Sequence, residues 1–215
     1  MVTDSPHHAV RQLSLGISPC PNDTFIFHAL IHGLAPPEPG FALSRLVMRD
    51  VERLNAMAAA GELDVVKISL AAVAQAAAHY RLLPCGGALG RGCGPLLVSR
   101  PGGPLLEGLR TLAVPGARTT AALLANMAGV PGERVLMRYD QVMPAVAAGE
   151  VDAGVVIHEG RFTYQALGLE LALDFGQWWE GRFNLPLPLG VIAVRRTMDP
   201  ETVSLVECAI QALSL

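Results

Sequence analysis

One short pattern occurs twice in this chain, and it limits the folds open to it. Asp50 to Ser69 reads as a helix, then Gly61-Glu62-Leu63-Asp64, then an apolar strand. Asp140 to His158 reads as a helix, then Gly149-Glu150-Val151-Asp152, then another apolar strand. A glycine that stops a helix just before a buried strand marks a helix-to-strand unit of an α/β sheet. One copy in each half is not a solenoid array, whose units recur every roughly 20–50 residues. The pattern predicts two lobes of similar α/β design. Ligands of such sheets sit beyond the carboxyl ends of the strands. Ser69 and His158, at the two echoed strand ends, would then face a single cleft.

The remaining segments extend this reading. Leu13 to Ile17 is a buried strand running into Ser18-Pro19-Cys20-Pro21-Asn22-Asp23-Thr24, where Asn22, Asp23 and Thr24 offer cap side chains for a helix from Phe25 to Gly33. Ala35 to Gly40 is a proline-rich loop, and Phe41 to Met48 a second strand. Leu70 to His79 is helical, and the glycine-rich stretch from Tyr80 to Leu97 is extended chain with sharp turns. Pro101-Gly102-Gly103-Pro104 reads as the clearest linker. Beyond it a new set of elements starts: strands Thr111 to Val114 and Val135 to Arg138, and helices Thr119 to Ala128, Gln141 to Ala148 and Arg161 to Leu167. Leu185-Pro186-Leu187-Pro188-Leu189-Gly190 is a second crossover candidate. It leads into the strand Val191 to Val194, and Pro200 opens a final helix. The predicted division is therefore residues 1–98 plus 191–215 in one lobe and 99–190 in the other.

Composition narrows the partners. Half of the 215 residues are hydrophobic (51%) and 16% are charged, enough apolar surface for a large core. The net charge is -3 and Lys and Arg form no run, which argues against a nucleic-acid or anionic-membrane partner. No run reaches the ~18 apolar residues of a membrane span. Cys20, Cys85, Cys93 and Cys208 form no CxxC pair and have no histidine at ligand spacing, so neither zinc nor a disulfide framework is expected. Reduced thiols, and a polar stretch from Met1 to Gln12 in place of a signal peptide, point to the cytoplasm.

Few residues carry recognisable chemistry. His7, His8, His28, His32 and His79 fall in the tail, the first helix or a helix end. His158 alone follows a very apolar strand, Ala153-Gly154-Val155-Val156-Ile157. A partly desolvated imidazole there suits a general base, and equally a strand-end histidine bonded to backbone. Thr119-Thr120 opens a helix after Pro115-Gly116-Ala117-Arg118, either as a carboxylate-binding helix end or as an ordinary cap. Lys67 interrupts the apolar strand Val65-Val66-Lys67-Ile68-Ser69, as an edge residue facing solvent would. Trp178 and Trp179 either wall an aromatic ligand or pack in the core. No dinucleotide fingerprint precedes a helix, and GxxxxGK[ST], HExxH and GxSxG are absent from the sequence.

Several segments taken in order resemble one family, the 1,4-dihydroxy-6-naphthoate synthases of the futalosine route to menaquinone. They are Ser18 to Phe27, Asp64 to Ser69, Ala88 to Val98, Thr119-Thr120-Ala121, Ile157 to Tyr164, Trp178-Trp179-Glu180 and Leu185 to Gly190. The resemblance implies the two-lobed fold of type II periplasmic solute-binding proteins, used as a lyase. It implies cyclic dehypoxanthinyl futalosine as the small-molecule substrate, with no cofactor and no metal, and it leaves room for a homodimer. It puts the catalytic base on His158 and substrate-binding roles on Asn22, Lys67, Ser69, Thr119 and Thr120. The alternatives sharing the fold are a non-catalytic binder of a small carboxylate and the related chorismate dehydratase.

Overall fold

The computed structural model describes residues 10–34, 40–104 and 106–211. His7, His8 and the proline loop 35–39 lie outside the described residues. In chain order the first strands are β1 (Arg11–Ile17), β2 (Phe41–Met48), β3 (Val65–Ser69), β4 (Tyr80–Leu82), β5 (Ala88–Gly90) and β6 (Leu96–Ser99). The others are β7 (Thr111–Val114), β8 (Glu133–Leu136), β9 (Ala153–Val156), β10 (Glu170–Asp174) and β11 (Leu187–Arg195). The helices are α1 (Pro21–Ile26), α2 (His28–Ile31), α3 (Val51–Ala59), α4 (Val73–Ala76), α5 (Thr120–Met127), α6 (Tyr139–Ala148), α7 (Gly160–Thr163), α8 (Phe175–Phe183) and α9 (Pro200–Gln211). None of the described helices is long and apolar enough to cross a membrane.

Two sheets form. The first has the order β2-β1-β3-β11-β4, with β5 also on β11, and the second has the order β10-β6-β9-β7-β8. Parallel pairing joins β1 to β2 and β3, and β7 to β8 and β9. Each sheet takes its antiparallel strand from across a crossing: β11 lies on β3, and β6 on β9. The two sheets thus share one plan.

The repeated Gly-Glu-(Leu/Val)-Asp unit has a physical basis in that plan. Gly61 and Gly149 end α3 and α6 with φ of 68° and 82°, a left-handed turn that favours glycine. Leu63 and Val151 then plug into the cores. Each aspartate ties its own strand to the neighbouring one. Asp64 Oδ2 accepts the Ser14 N–H at 2.8 Å and its hydroxyl at 2.6 Å, while Ser14 Oγ accepts the Asp64 N–H at 2.9 Å. Asp152 Oδ2 accepts the N–H groups of Arg110 and Thr111 at 2.8 and 3.0 Å, while Thr111 Oγ1 accepts the Asp152 N–H at 2.9 Å. Both knots fix the parallel register at the amino ends of β3 and β9. The carboxyl ends, where a ligand would sit, are left clear.

Apolar clusters cover both faces of each sheet. β3 alternates: Val65 joins Leu15, Phe27 and Ile210 on one face, while Val66 and Ile68 join Leu54 and Met57 on the other. In the second sheet, Leu112, Val114 and Val155 pack with Leu124 and Phe175, and Ala113 and Val156 pack with Val142 and Val146.

Four sequence expectations need correction. Lys67 is not at a solvent-facing edge: β3 is central, between β1 and β11, and Lys67 is only 5% exposed. Asn22, Asp23 and Thr24 lie within α1, not ahead of it, because Pro21 starts the helix and Cys20 occupies the cap position, its side chain making no capping bond. The sheets exchange the chain at 91–95 and 184–186, since β6 already belongs to the second sheet and β11 starts at Leu187 in the first. The segment Pro101 to Pro104 is accordingly a turn inside the second lobe. Lastly, β10 and α8 occupy a stretch to which the sequence pattern assigned no element.

Candidate active site

The carboxyl ends of two parallel strand pairs, one from each sheet, converge on one cleft. Ser18 follows β1, Ser69 ends β3, Thr119 stands between β7 and α5, and His158 follows β9. They line a cavity of about 380 Å³. Asn22, Lys67 and Thr120 line it too, so all six residues picked from the sequence come together. Trp178 and Trp179 do not line it; they pack against the second lobe's core and Phe183.

His158 has an unusual backbone. Its φ is 53°, in the left-handed region that non-glycine residues seldom occupy. Such a turn directs the side chain away from the line of β9 and into the cleft mouth. The Tyr139 ring meets the imidazole edge-on at 5.3 Å between centroids and steadies it from α6. Burial pushes the His158 pKa below its ordinary value, with Glu159 and Asp23 pulling partly the other way. A neutral imidazole in that setting can accept a proton.

Ser69 is held from below. Asn55 on α3 is fully buried; its Oδ1 accepts the Ser69 N–H at 2.9 Å and its Nδ2 donates to Ser69 Oγ at 3.1 Å. Nδ2 also donates to the Arg118 carbonyl of the second lobe at 3.2 Å. Beside it, Glu52 accepts the Arg118 N–H at 2.9 Å and pairs with its guanidinium at 3.1 Å. Replacing Asn55 by Ala should therefore cost about 2–3 kcal/mol, because it strands a buried N–H and loosens the inter-lobe contact. Urea denaturation checks this; an unchanged midpoint would show that these bonds add no stability.

The hydroxyls of the threonine pair are already engaged. Thr119 Oγ1 donates to the Gly116 carbonyl at 2.8 Å and accepts the Ala122 N–H at 3.1 Å, which is a helix cap. Thr120 Oγ1 donates to the Leu189 carbonyl at 2.8 Å. What α5 offers a ligand is its backbone: the N–H groups of Thr120 and Ala121 have no acceptor within the helix. Both residues line the cavity. With the helix dipole they make a place for a carboxylate.

Lys67 rises from the cavity floor on the first lobe. Its Nζ donates to the Gly86 carbonyl at 2.6 Å. A Cβ on Gly190 of β11 would stand 3.2 Å from the Ile68 carbonyl oxygen, and 3.4 Å from Lys67 Cε. Cys20 is buried, and burial pushes its thiol pKa up, the wrong direction for a nucleophile.

Three residues of the site escaped the sequence reading. Asp23 reads from the sequence only as a cap beside Asn22; both line the cavity, but the Pro21 start of α1 buries Asp23 while Asn22 stays exposed. Asn55 sits within an otherwise apolar helical face, a signal that was available. Arg161 belongs to the Ile157–Tyr164 segment, and its pairing with Asp174 depended on an element not foreseen.

Comparison with known proteins agrees with this architecture. The family model described as menaquinone biosynthesis matches residues 13–213. A Thermus thermophilus protein named 1,4-dihydroxy-6-naphtoate synthase is 52% identical over 195 residues, covering 88% of this chain and 68% of that one. A solved structure of an Archaeoglobus fulgidus protein is 36% identical with a TM-score of 0.88, covering 96% of this chain and 76% of that one. The periplasmic aliphatic sulphonate binding protein of Escherichia coli shares the fold at 15% identity, with a TM-score of 0.66 over 96% of this chain and 72% of that one.

Proposed function

The chain belongs to the menaquinone biosynthesis family, and on that premise we propose that it is a lyase that converts cyclic dehypoxanthinyl futalosine into 1,4-dihydroxy-6-naphthoate. The observation that carries the reading is His158: a desolvated imidazole on a strained turn, aimed into a cleft large enough for a bicyclic carboxylate. His158 removes a proton from carbon, the sugar-derived fragment leaves, and the ring system becomes aromatic. Aromatisation supplies the driving force, so the protein must position, deprotonate and exclude water.

The other residues divide the binding. The free amides at the start of α5, at Thr120 with Thr119 as its cap, hold the substrate carboxylate. Ser69 and Asn22 take hydroxyl or carbonyl groups, and Lys67 meets an oxygen from the floor. We assign the protein to the cytoplasm, where a biosynthetic enzyme of this kind meets its substrate.

The pH dependence follows from His158. Its pKa is lowered, so the imidazole stays neutral, and able to accept a proton, to lower pH than a free histidine. The acid limb of kcat/KM should fall below the ordinary imidazole range, with activity lost as pH drops through it. A limb at or above that range would contradict the assignment. The function itself is tested by supplying the cyclic compound, with chorismate in parallel, and following naphthoate absorbance.

A further inference from the structure

We propose that Tyr139 is a positioning residue for the base: its ring, and not a hydrogen bond, sets the orientation of the His158 imidazole. This deepens the lyase reading and rests on it.

The placement begins with α6. Tyr139, Val142, Met143 and Val146 recur at the spacing of one helical face. Glycines let that face come close to β9 and the turn after it. A Cβ on Gly154 would stand 2.5 Å from Val142 Cγ1 and 2.8 Å from Val146 Cγ2. One on Gly160 would stand 3.5 Å from Met143 Cε. The helix is thus seated on β9 and on the start of α7. Tyr139, in its first turn, lies over the carboxyl end of the strand, where His158 stands. The two rings meet at 83° with centroids 5.3 Å apart. Edge-to-face pairs at about 4.5–7 Å are the arrangement that aromatic rings favour.

A working histidine is commonly oriented by a carboxylate or a carbonyl on its second ring nitrogen. Among the described residues, none hydrogen-bonds to a His158 ring nitrogen. The nearby polar side chains are engaged or turned outward. The Ser18 hydroxyl donates to Asp23 at 2.7 Å, Asp50 Oδ1 accepts the Arg53 N–H at 3.1 Å, and Glu159 is exposed. The backbone of His158 is held by its turn, with φ of 53° and its carbonyl accepting the Arg161 N–H at 3.3 Å. What remains free is rotation of the side chain, and the Tyr139 ring limits it.

Tyr139 acts only through His158. It lines a smaller, adjacent cavity of about 70 Å³ and not the large one in which the substrate is placed, whereas His158 lines both. The imidazole is therefore backed by Tyr139 on one side and open to the substrate on the other, with no protein acceptor or donor competing for its nitrogens.

Two measurements test this. The first is heteronuclear NMR of the whole chain with labelled histidine. Neutral His158 should show shifts averaged over two exchanging tautomers, because no protein hydrogen bond selects one, and Tyr139→Leu should displace its ring-carbon protons by removing the neighbouring ring current. The second is kinetics with cyclic dehypoxanthinyl futalosine. Tyr139→Leu should lower kcat about tenfold or more at unchanged KM, and Tyr139→Phe, which keeps the ring, should recover most of that loss. A folded Tyr139→Leu with wild-type kcat overturns the proposal, and so does a loss carried by KM. Tyr139→Phe as slow as Tyr139→Leu would overturn it too, by making the hydroxyl the active part. A single tautomer with a slowly exchanging, hydrogen-bonded N–H in the wild type overturns it whether or not the variants fold. Absence of naphthoate from the wild type would instead overturn the lyase reading, and the NMR result would still decide what orients His158.

Discussion

Replacing His158 by Asn should lower kcat about 10²–10⁴-fold, the usual contribution of a general base, while affinity for 1,4-dihydroxy-6-naphthoate changes little. Asparagine is the informative choice because it tolerates the left-handed backbone that His158 occupies at φ 53°. It keeps a hydrogen-bonding side chain of similar reach but cannot accept a proton at neutral pH. His158→Ala would mix two effects: loss of the base and a backbone cost of about 1 kcal/mol in a region that alanine avoids. Rate is followed by naphthoate absorbance and affinity by calorimetry. A variant with both turnover and affinity intact would remove His158 from the chemistry. One that lost affinity in step with rate would make it a binding residue.

Replacing Arg161 by Ala should cost about 3 kcal/mol of stability and weaken turnover as well. Arg161 acts as a strap. Its guanidinium donates to the Gly94 carbonyl at 2.9 Å and the Gly92 carbonyl at 3.2 Å, and it pairs with Asp174 at 2.8 Å. Asp174 is buried, and its other oxygen caps α8 through the N–H groups of Gly176 at 2.8 Å and Gln177 at 3.1 Å. Removing the arginine strands that carboxylate and frees the 91–95 crossing, which forms part of the cavity wall. The packing there is tight: a Cβ on Gly176 would stand 2.6 Å from the Cys93 carbonyl oxygen. Arg161→Lys should lose less stability, since it keeps the charge but not the fork that spans two carbonyls and a carboxylate. Chemical denaturation measures both. An Ala variant as stable as the wild type would mean that Asp174 is adequately solvated without its partner.

These two residues also show what the sequence made legible. The echo around Gly61 and Gly149 foretold two lobes of one design because its parts act locally: a left-handed stop, a buried plug and an aspartate knot. His158 was visible because an ionisable residue after five apolar ones is an exposed anomaly in pattern. The hidden parts depended on distant partners. Lys67 looked like an edge residue because solvent exposure and a buried lysine with a carbonyl partner give the same pattern. Its partner, Gly86, belongs to a stretch that shows no periodicity. β11 starts within Leu-Pro-Leu-Pro, where prolines argue against a strand. It is accommodated because its register with β5 shifts between Pro188 and Gly190. β10 and α8 were missed because their exposed and buried positions follow neither a strand nor a helix period clearly.

The central claim is that this cleft carries out chemistry on what it binds. The most direct measurement incubates the purified chain with cyclic dehypoxanthinyl futalosine and quantifies naphthoate, released fragment and remaining substrate by mass spectrometry. The account predicts naphthoate and fragment in equal amounts over many turnovers, with chorismate left untouched. Tight binding of the cyclic compound, recovered unchanged, would contradict it and leave a solute-binding protein in its place.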